Sequence, residues 1–162
     1  MKEIFILRHA KSSWDNINLS DFERPLAKRG INDANTMCDY LSKNSFSVDK
    51  VLCSNATRTK ETLDIISDGI KFEISDARYT DDLYFKGIDK ILSYLRSIDE
   101  ETKSILIIGH NPTLHFLIET LTKEHIHKFA TCNMAIINFN NNWKNLREGE
   151  CKLELVIRPK EI

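Results

Sequence analysis

Lys2-Glu3-Ile4-Phe5-Ile6-Leu7-Arg8-His9-Ala10-Lys11-Ser12 reads as a short apolar strand that delivers an arginine and a histidine into a polar turn. Ser104-Ile105-Leu106-Ile107-Ile108-Gly109-His110-Asn111-Pro112 repeats the device. Here the apolar run is followed by a glycine, a second histidine and a proline that suits a helix start. Both segments set a histidine just past a strand end, the first beside the fixed charge of Arg8.

Outward from these two stretches, strand-like and helix-like segments alternate. After a polar loop, Lys11 to Pro25, the spacing of Ile31, Ala34, Met37, Cys38 and Leu41 predicts a helix from Ala27 to Lys43, Gly30 notwithstanding. Val48 to Ser54 reads as a short buried strand that ends in small polar residues. Thr57 to Ile66 follows as a helix with Leu63 and Ile66 inward and Thr57 or Asn55 near its cap. Phe72 to Ile74 is a strand candidate, and Ala77 to Gly87 reads as an irregular loop. Ile88, Ile91, Leu92 and Leu95 recur at helical spacing and predict a helix from Ile88 to Ile98. Leu114, Leu117, Ile118 and Leu121 do the same for Thr113 to Leu121. Met134 to Phe139 and Lys152 to Ile157 look like two strands joined through Asn140-Asn141-Asn142-Trp143, most simply an antiparallel pair.

The pattern is α/β: a single domain over residues 1–162, a three-layer sandwich with a mainly parallel central sheet, helices on both faces and an antiparallel C-terminal strand pair. Open sheets of this kind bind ligands at the carboxyl ends of their strands. Arg8-His9, Ser54 with its following loop, and Gly109-His110 all fall on that edge in this reading.

A length of 162 residues and a 41% hydrophobic composition fit one compact core. Lys and Arg total 23 against 24 Asp and Glu, so the net charge of -1 gives no global attraction to nucleic acid or membrane, and functional charge must be local. The first apolar run ends on Arg8, unlike a secretory leader, and no run approaches the ~20 apolar residues of a membrane helix. Cys38, Cys53, Cys132 and Cys151 form no Cys-x-x-Cys pair and read as free thiols, which with the missing leader points to a reducing cytoplasm. His115, His125 and His127 lack a carboxylate or cysteine at a spacing that completes a metal site. The aromatics Trp14, Phe46, Phe139 and Trp143 have no basic interleaving and read as packing residues.

Two strand-end histidines with Arg8 suggest phosphoryl transfer, whose loose transition state spreads charge over three oxygens and is stabilised mainly by positioned cations. Guanidinium groups do this without a metal, because they stay protonated and present paired donors that fit phosphate oxygens. Arg58, in Ser54-Asn55-Ala56-Thr57-Arg58, stands in a first helical turn where a cation is disfavoured unless an anion binds there. Arg24, in Glu23-Arg24-Pro25-Leu26, has ordinary ion pairs within reach.

Arg8-His9-Ala10 with Ser12 and Trp14, then Arg24-Pro25-Leu26, Arg29-Gly30, Ser54 to Arg58, and Gly109-His110-Asn111-Pro112 together resemble the histidine phosphatase superfamily, in order and spacing and over nearly the whole chain. The compact length and the run Arg8 to Ser12 are similar to its SixA-type phosphohistidine phosphatase branch. The resemblance implies that His9 is the nucleophile taking the phosphoryl group. It implies that Arg8, Arg58 and His110 bind the phosphoryl oxygens, with Arg24 a fourth ligand. It places Asp82, in Thr80-Asp81-Asp82-Leu83-Tyr84, where larger relatives carry a catalytic glutamate, and so makes it the candidate proton donor. Asp15 stands where phosphoglycerate mutases carry a phosphate-contacting asparagine, a role a carboxylate fits poorly.

No cofactor and no metal are implied. The expected substrate is phosphohistidine on a partner protein, since no long insertion between Phe72 and Ile88 is available to fold over the pocket as a lid. Two alternatives remain open at this level: a phosphomonoesterase of the same fold acting on a small ester, and a non-catalytic phosphate sensor. Intact His9 argues against the sensor, which needs only the arginines.

Overall fold

The computed structural model describes every residue from Met1 to Ile162. Six strands form one sheet: β1 (Lys2–Arg8), β2 (Lys50–Ser54), β3 (Arg78–Thr80), β4 (Ser104–Gly109), β5 (Met134–Phe139) and β6 (Lys152–Ile157), in the order β3-β2-β4-β1-β5-β6. The first four strands in the chain are parallel to one another. β5 runs antiparallel to both its neighbours, β1 and β6, so the expected C-terminal pair is joined onto the parallel sheet through β1.

Helices α1 (Lys28–Lys43), α2 (Thr57–Ile66), α3 (Asp89–Arg96) and α4 (Thr113–Thr122) form the outer layers. Side chains alternate across a strand, which splits the sheet's apolar residues between two cores. Ile4, Ile6, Ile105 and Ile107 pack with Ile91 and Leu95 of α3 and Leu114 and Leu117 of α4. Phe5, Leu7, Leu106 and Ile108 pack on the other face with Met37 and Leu41 of α1 and Leu63 and Ile66 of α2. A strand covered on both faces loses its in-out alternation, which is why β1 and β4 read as unbroken apolar runs.

Gly30 has a reason that helix propensity does not supply. A Cβ at that position would lie 2.1 Å from the carbonyl oxygen of Lys11. The glycine lets the start of α1 press against the chain just after His9, and the Ala27 N–H donates to the same Lys11 oxygen at 2.8 Å.

One strand lies elsewhere than the sequence suggested. Phe72 to Ile74 is not a strand; Phe72 packs half-buried beside the α1 and α2 core and Ile74–Asp76 is a single 3-10 turn. The edge strand is β3, inside the span expected to be an irregular loop, where Leu52 pairs with Arg78 and Ser54 with Thr80. An edge strand with one partner and no fully buried residue carries no apolar run to announce it.

Register brings the strand ends together. β1 pairs with β4 so that Arg8 lies opposite Gly109, and His9 and His110 therefore leave the sheet side by side. Ser54 ends β2 on the other flank of β4. The segment entering β5 closes the opposite side, with the Cys132 N–H 3.0 Å from the carbonyl oxygens of Arg8 and His9.

Candidate active site

At this edge lies a pocket of about 260 Å³ lined by Arg8, His9, Ser12, Arg24, Arg58 and His110, with Trp14, Asp21, Phe85 and Asn111 among its other walls. The sequence-predicted residues Arg8, His9, Arg24, Arg58 and His110 thus converge on one cavity from four separated points of the chain.

His9 is buried and its Nδ1 lies 2.7 Å from the carbonyl oxygen of Ala10. A carbonyl only accepts, so Nδ1 carries the proton and Nε2 is left unprotonated, with its lone pair as an acceptor. Arg58 Nε donates to that Nε2 at 3.4 Å. Burial first, then the charges of Arg58, Arg8 and Arg24, depress the His9 pKa to about 3, against an opposing pull from the Ala10 carbonyl. The ring is therefore neutral at physiological pH and holds an unshared pair beside three guanidiniums.

His110 sits with its ring centroid 5.3 Å from that of His9. Its Nε2 is 2.9 Å from Ser54 Oγ, whereas its buried Nδ1 has no hydrogen-bond partner. Burial, then the neighbouring His9 and Arg58, lower its pKa to about 3. Arg8 donates from Nη1 to the Phe129 carbonyl at 3.3 Å, and its buried Nε is likewise unpartnered. Unpaired buried donors and acceptors are costly, so a site that keeps two of them is built for a polar ligand.

Arg24 is fixed on every side. It donates to Ser13 O at 3.0 Å, to Ser12 Oγ at 2.7 Å and to Asp21 Oδ1 at 3.1 Å, while its guanidinium carbon stacks 3.2 Å from the centroid of Trp14. Asp21 also accepts from Arg58 Nη2 at 3.0 Å and from the Tyr84 hydroxyl, and its own carbonyl accepts from Arg58 Nη1 at 2.6 Å. Partial burial pulls the Asp21 pKa up, but the donors Tyr84, Arg58 and Arg24 overcome it and hold the carboxyl at about 2.

Asp82 is not brought to this pocket. It lines a different cleft with Leu52, Arg78 and Tyr94, and its carboxylate faces Lys90 at 3.5 Å. The physical reason is the 3-10 turn Asp81–Leu83, which begins at Thr80: the Asp82 N–H is bonded to Thr80 Oγ1, and the turn buries Leu83 in the core. Asp15 is exposed and outside the pocket lining. His115 and His125 both contact the carboxylate of Glu119, at 3.4 and 2.9 Å, away from the pocket. The four cysteines are free, and burial pushes the thiols of Cys53, Cys132 and Cys151 up to about 12.

Residues 4–83 match the model of the histidine phosphatase superfamily, branch 1. An uncharacterized protein of Mycobacterium leprae is 32% identical over 91% of this chain and 96% of its own length. The chain belongs to the histidine phosphatase superfamily. The phosphohistidine phosphatase SixA of Escherichia coli is 26% identical over 94% of this chain and 97% of that protein. A solved structure of the protein histidine phosphatase SixA complexed with tungstate has the same fold, with a TM-score of 0.85 over 98% of both chains at 24% identity.

Within this histidine phosphatase fold, Asp21 is a charged pocket residue that the sequence reading missed. A signal was there. Ser20 and Glu23 have the spacing of a capping box, and Glu23 Oε1 accepts from Ser20 N and Oγ at 3.2 and 2.8 Å. That turn start fixes Asp21 in a 3-10 turn three residues before Arg24, within reach of its guanidinium. Thr62 is a second missed contributor: its hydroxyl accepts from the Ala10 N–H at 3.0 Å and ties the turn after His9 to α2.

Proposed function

We propose that this chain is a phosphatase that removes the phosphoryl group from phosphohistidine on a partner protein, through a phosphohistidine intermediate on His9. The observation that carries this reading is the state of the one carboxylate in the pocket lining. Asp21 is tied to two arginines and a tyrosine and stays ionised far below neutral pH, so it has no proton to give a leaving group. Ester hydrolysis sends out a poor alkoxide and leans on such a donor. A phosphorylated imidazole, protonated on its other ring nitrogen, leaves as neutral imidazole and needs none.

The geometry supports the following first step. The Nε2 pair of His9 attacks phosphorus, a new N–P bond forms as the substrate's N–P bond breaks, and the departing imidazole keeps the electron pair. Arg8, Arg24 and Arg58 take the charge of the equatorial oxygens, and the orphaned His110 Nδ1 and Arg8 Nε supply further polar contacts. Phosphorylated at Nε2 while Nδ1–H still bonds to Ala10, the His9 ring is cationic. That makes it a good leaving group in turn. Water then attacks phosphorus, the His9–phosphorus bond breaks, the ring returns neutral with its Nδ1 proton in place, and the proton released by water leaves with phosphate.

The mouth of the pocket supports the reading of a protein substrate. Trp14 and Phe85 in its walls are 69% and 51% exposed, and Phe116, 59% exposed, lies with Phe85 along an adjoining apolar cleft. Exposed aromatics grouped around an open site mark contact with a macromolecule. No helix is long and apolar enough to cross a membrane.

The deciding experiment offers the purified protein a phosphohistidine protein and a panel of sugar and nucleotide monophosphates under one set of conditions. The expected kcat/KM for the phosphorus–nitrogen bond exceeds that for the esters by roughly 10²-fold or more, the scale of a missing general acid. Equal turnover of an alkyl ester would make this a small-molecule phosphomonoesterase.

A further inference from the structure

A second cleft, of about 420 Å³, opens beside the catalytic pocket and shares Arg8, Lys11 and Thr131 with it. Its walls carry six cations, Arg8, Lys11, Arg29, Lys128, Arg158 and Lys160, against the two carboxylates of Asp33 and Glu161. In a chain whose net charge is -1, that concentration is local. The cations come from the end of β1, the first turn of α1, the loop before β5 and the turn after β6, so no basic run in the sequence announces them.

Little within the protein neutralises this charge. The one ion pair these six make is Arg158 with Glu161, at 3.8 Å. Arg29 follows Lys28 in the first turn of α1, which has no acidic residue, so both cations oppose the helix dipole. A bound anion offsets that cost. The cleft is also braced to the catalytic side: Arg158 Nη1 donates to the Lys128 carbonyl at 2.9 Å, and Arg8 Nη1 to the next carbonyl, that of Phe129.

We infer that this cleft seats aspartate and glutamate side chains flanking the phosphohistidine of the protein substrate. The inference rests on the phosphohistidine-protein reading above. A polypeptide whose modified histidine reaches His9 passes over the shared wall of Arg8, Lys11 and Thr131 into the basic cleft. Half of the cations are lysines, which act as mobile point charges and suit several carboxylates spread along a chain. The fixed arginine forks that grip a single phosphoryl group lie in the neighbouring pocket, where Arg24 and Arg58 are held by Asp21.

Two phosphohistidine peptides of equal length test it, one with aspartates on both sides of the modified residue and one with asparagines. The unmodified full-length protein is expected to favour the acidic peptide about tenfold in kcat/KM at low ionic strength, mostly through KM, with the preference shrinking as salt rises to ~0.15 M. Lys128→Glu with Lys160→Glu, both exposed positions, is expected to abolish or invert the preference. Equal kcat/KM for the two peptides overturns the role of the cleft and leaves the phosphohistidine reading standing. A preference that survives the double charge reversal also overturns it, since the carboxylates then bind elsewhere. Hydrolysis of neither peptide overturns the phosphohistidine reading and this inference with it.

Discussion

A histidine can attack phosphorus only while one ring nitrogen keeps its lone pair, and His9 meets that condition twice over. The Ala10 carbonyl fixes the proton on Nδ1, and burial beside three guanidiniums keeps a second proton off Nε2. His9→Ala is therefore expected to abolish turnover in a folded protein, checked by phosphate release together with a thermal melt; activity within a few-fold of wild type would remove the covalent route. Arg58 bonds to both His9 and Asp21, so in the proposed mechanism its loss strips a charge from the transition state and loosens Asp21 at once. Arg58→Ala should cost about 2 to 4 kcal/mol of transition-state stabilisation, a fall in kcat/KM of roughly 30- to 1,000-fold. Asp82 faces Lys90 in another cleft, and Asp82→Asn should change kcat/KM by less than about twofold on phosphohistidine and ester substrates alike. A large loss confined to the ester would return Asp82 to the role of proton donor.

Among the elements, the start of α1 and the turn after β1 are held together by one absent methyl group. Gly30→Ala gains about 1 kcal/mol of helix propensity but sets a carbon 2.1 Å from a backbone oxygen that cannot rotate away. The clash should win by about 1 to 3 kcal/mol, read from urea denaturation, and should lower activity because the displaced residue, Lys11, lines the pocket. Unchanged stability would mean that α1 slides freely over Lys11. The same contact shows where the sequence is legible and where it is not. β1 and β4 are legible as unbroken apolar runs covered on both faces, and the four helices because each buries an apolar face whose period survives in the chain. β3 is not, since an edge strand with half-exposed Tyr79 and Thr80 has no such face. Gly30 looks like a helix defect until its neighbour across space is known. Arg8, His9, Arg58 and His110 could be picked out because each stands at a strand end or helix start, positions that sequence periodicity locates. Asp21 sits in a short turn of a polar loop, where the Ser20 and Glu23 spacing marks the turn but not its place in the pocket, and the basic cleft is assembled from distant segments, so only the folded chain displays where either lies.

For the molecule as a whole, burying two neutral histidines ties stability to pH. His9 and His110 have folded pKa values of about 3, each depressed first by burial, against about 6.5 for an unfolded chain. Below pH 6.5 the unfolded state takes up protons that the native state refuses, so unfolding gains as pH falls. Stability is therefore complete above about pH 6.5 and declines between there and pH 3, with a slope of up to about 1.4 kcal/mol per pH unit for each histidine. Asp21, held at about 2, works with the same sign at lower pH: its contribution is present above its unfolded value and is lost as pH drops toward 2. Urea denaturation of wild type and His9→Gln at pH 7, 6 and 5 isolates one histidine's share. The packing cost of the substitution is nearly the same at every pH, so the change in slope is the readout, and the variant should show the shallower decline. Saturating inorganic phosphate should raise the stability of wild type and flatten its slope, because a bound anion offsets the arginine charges that, after burial, hold both rings deprotonated. A His9→Gln slope equal to that of wild type would mean that His9 titrates at an ordinary pKa, and the attacking nitrogen would then be protonated in mildly acidic solution.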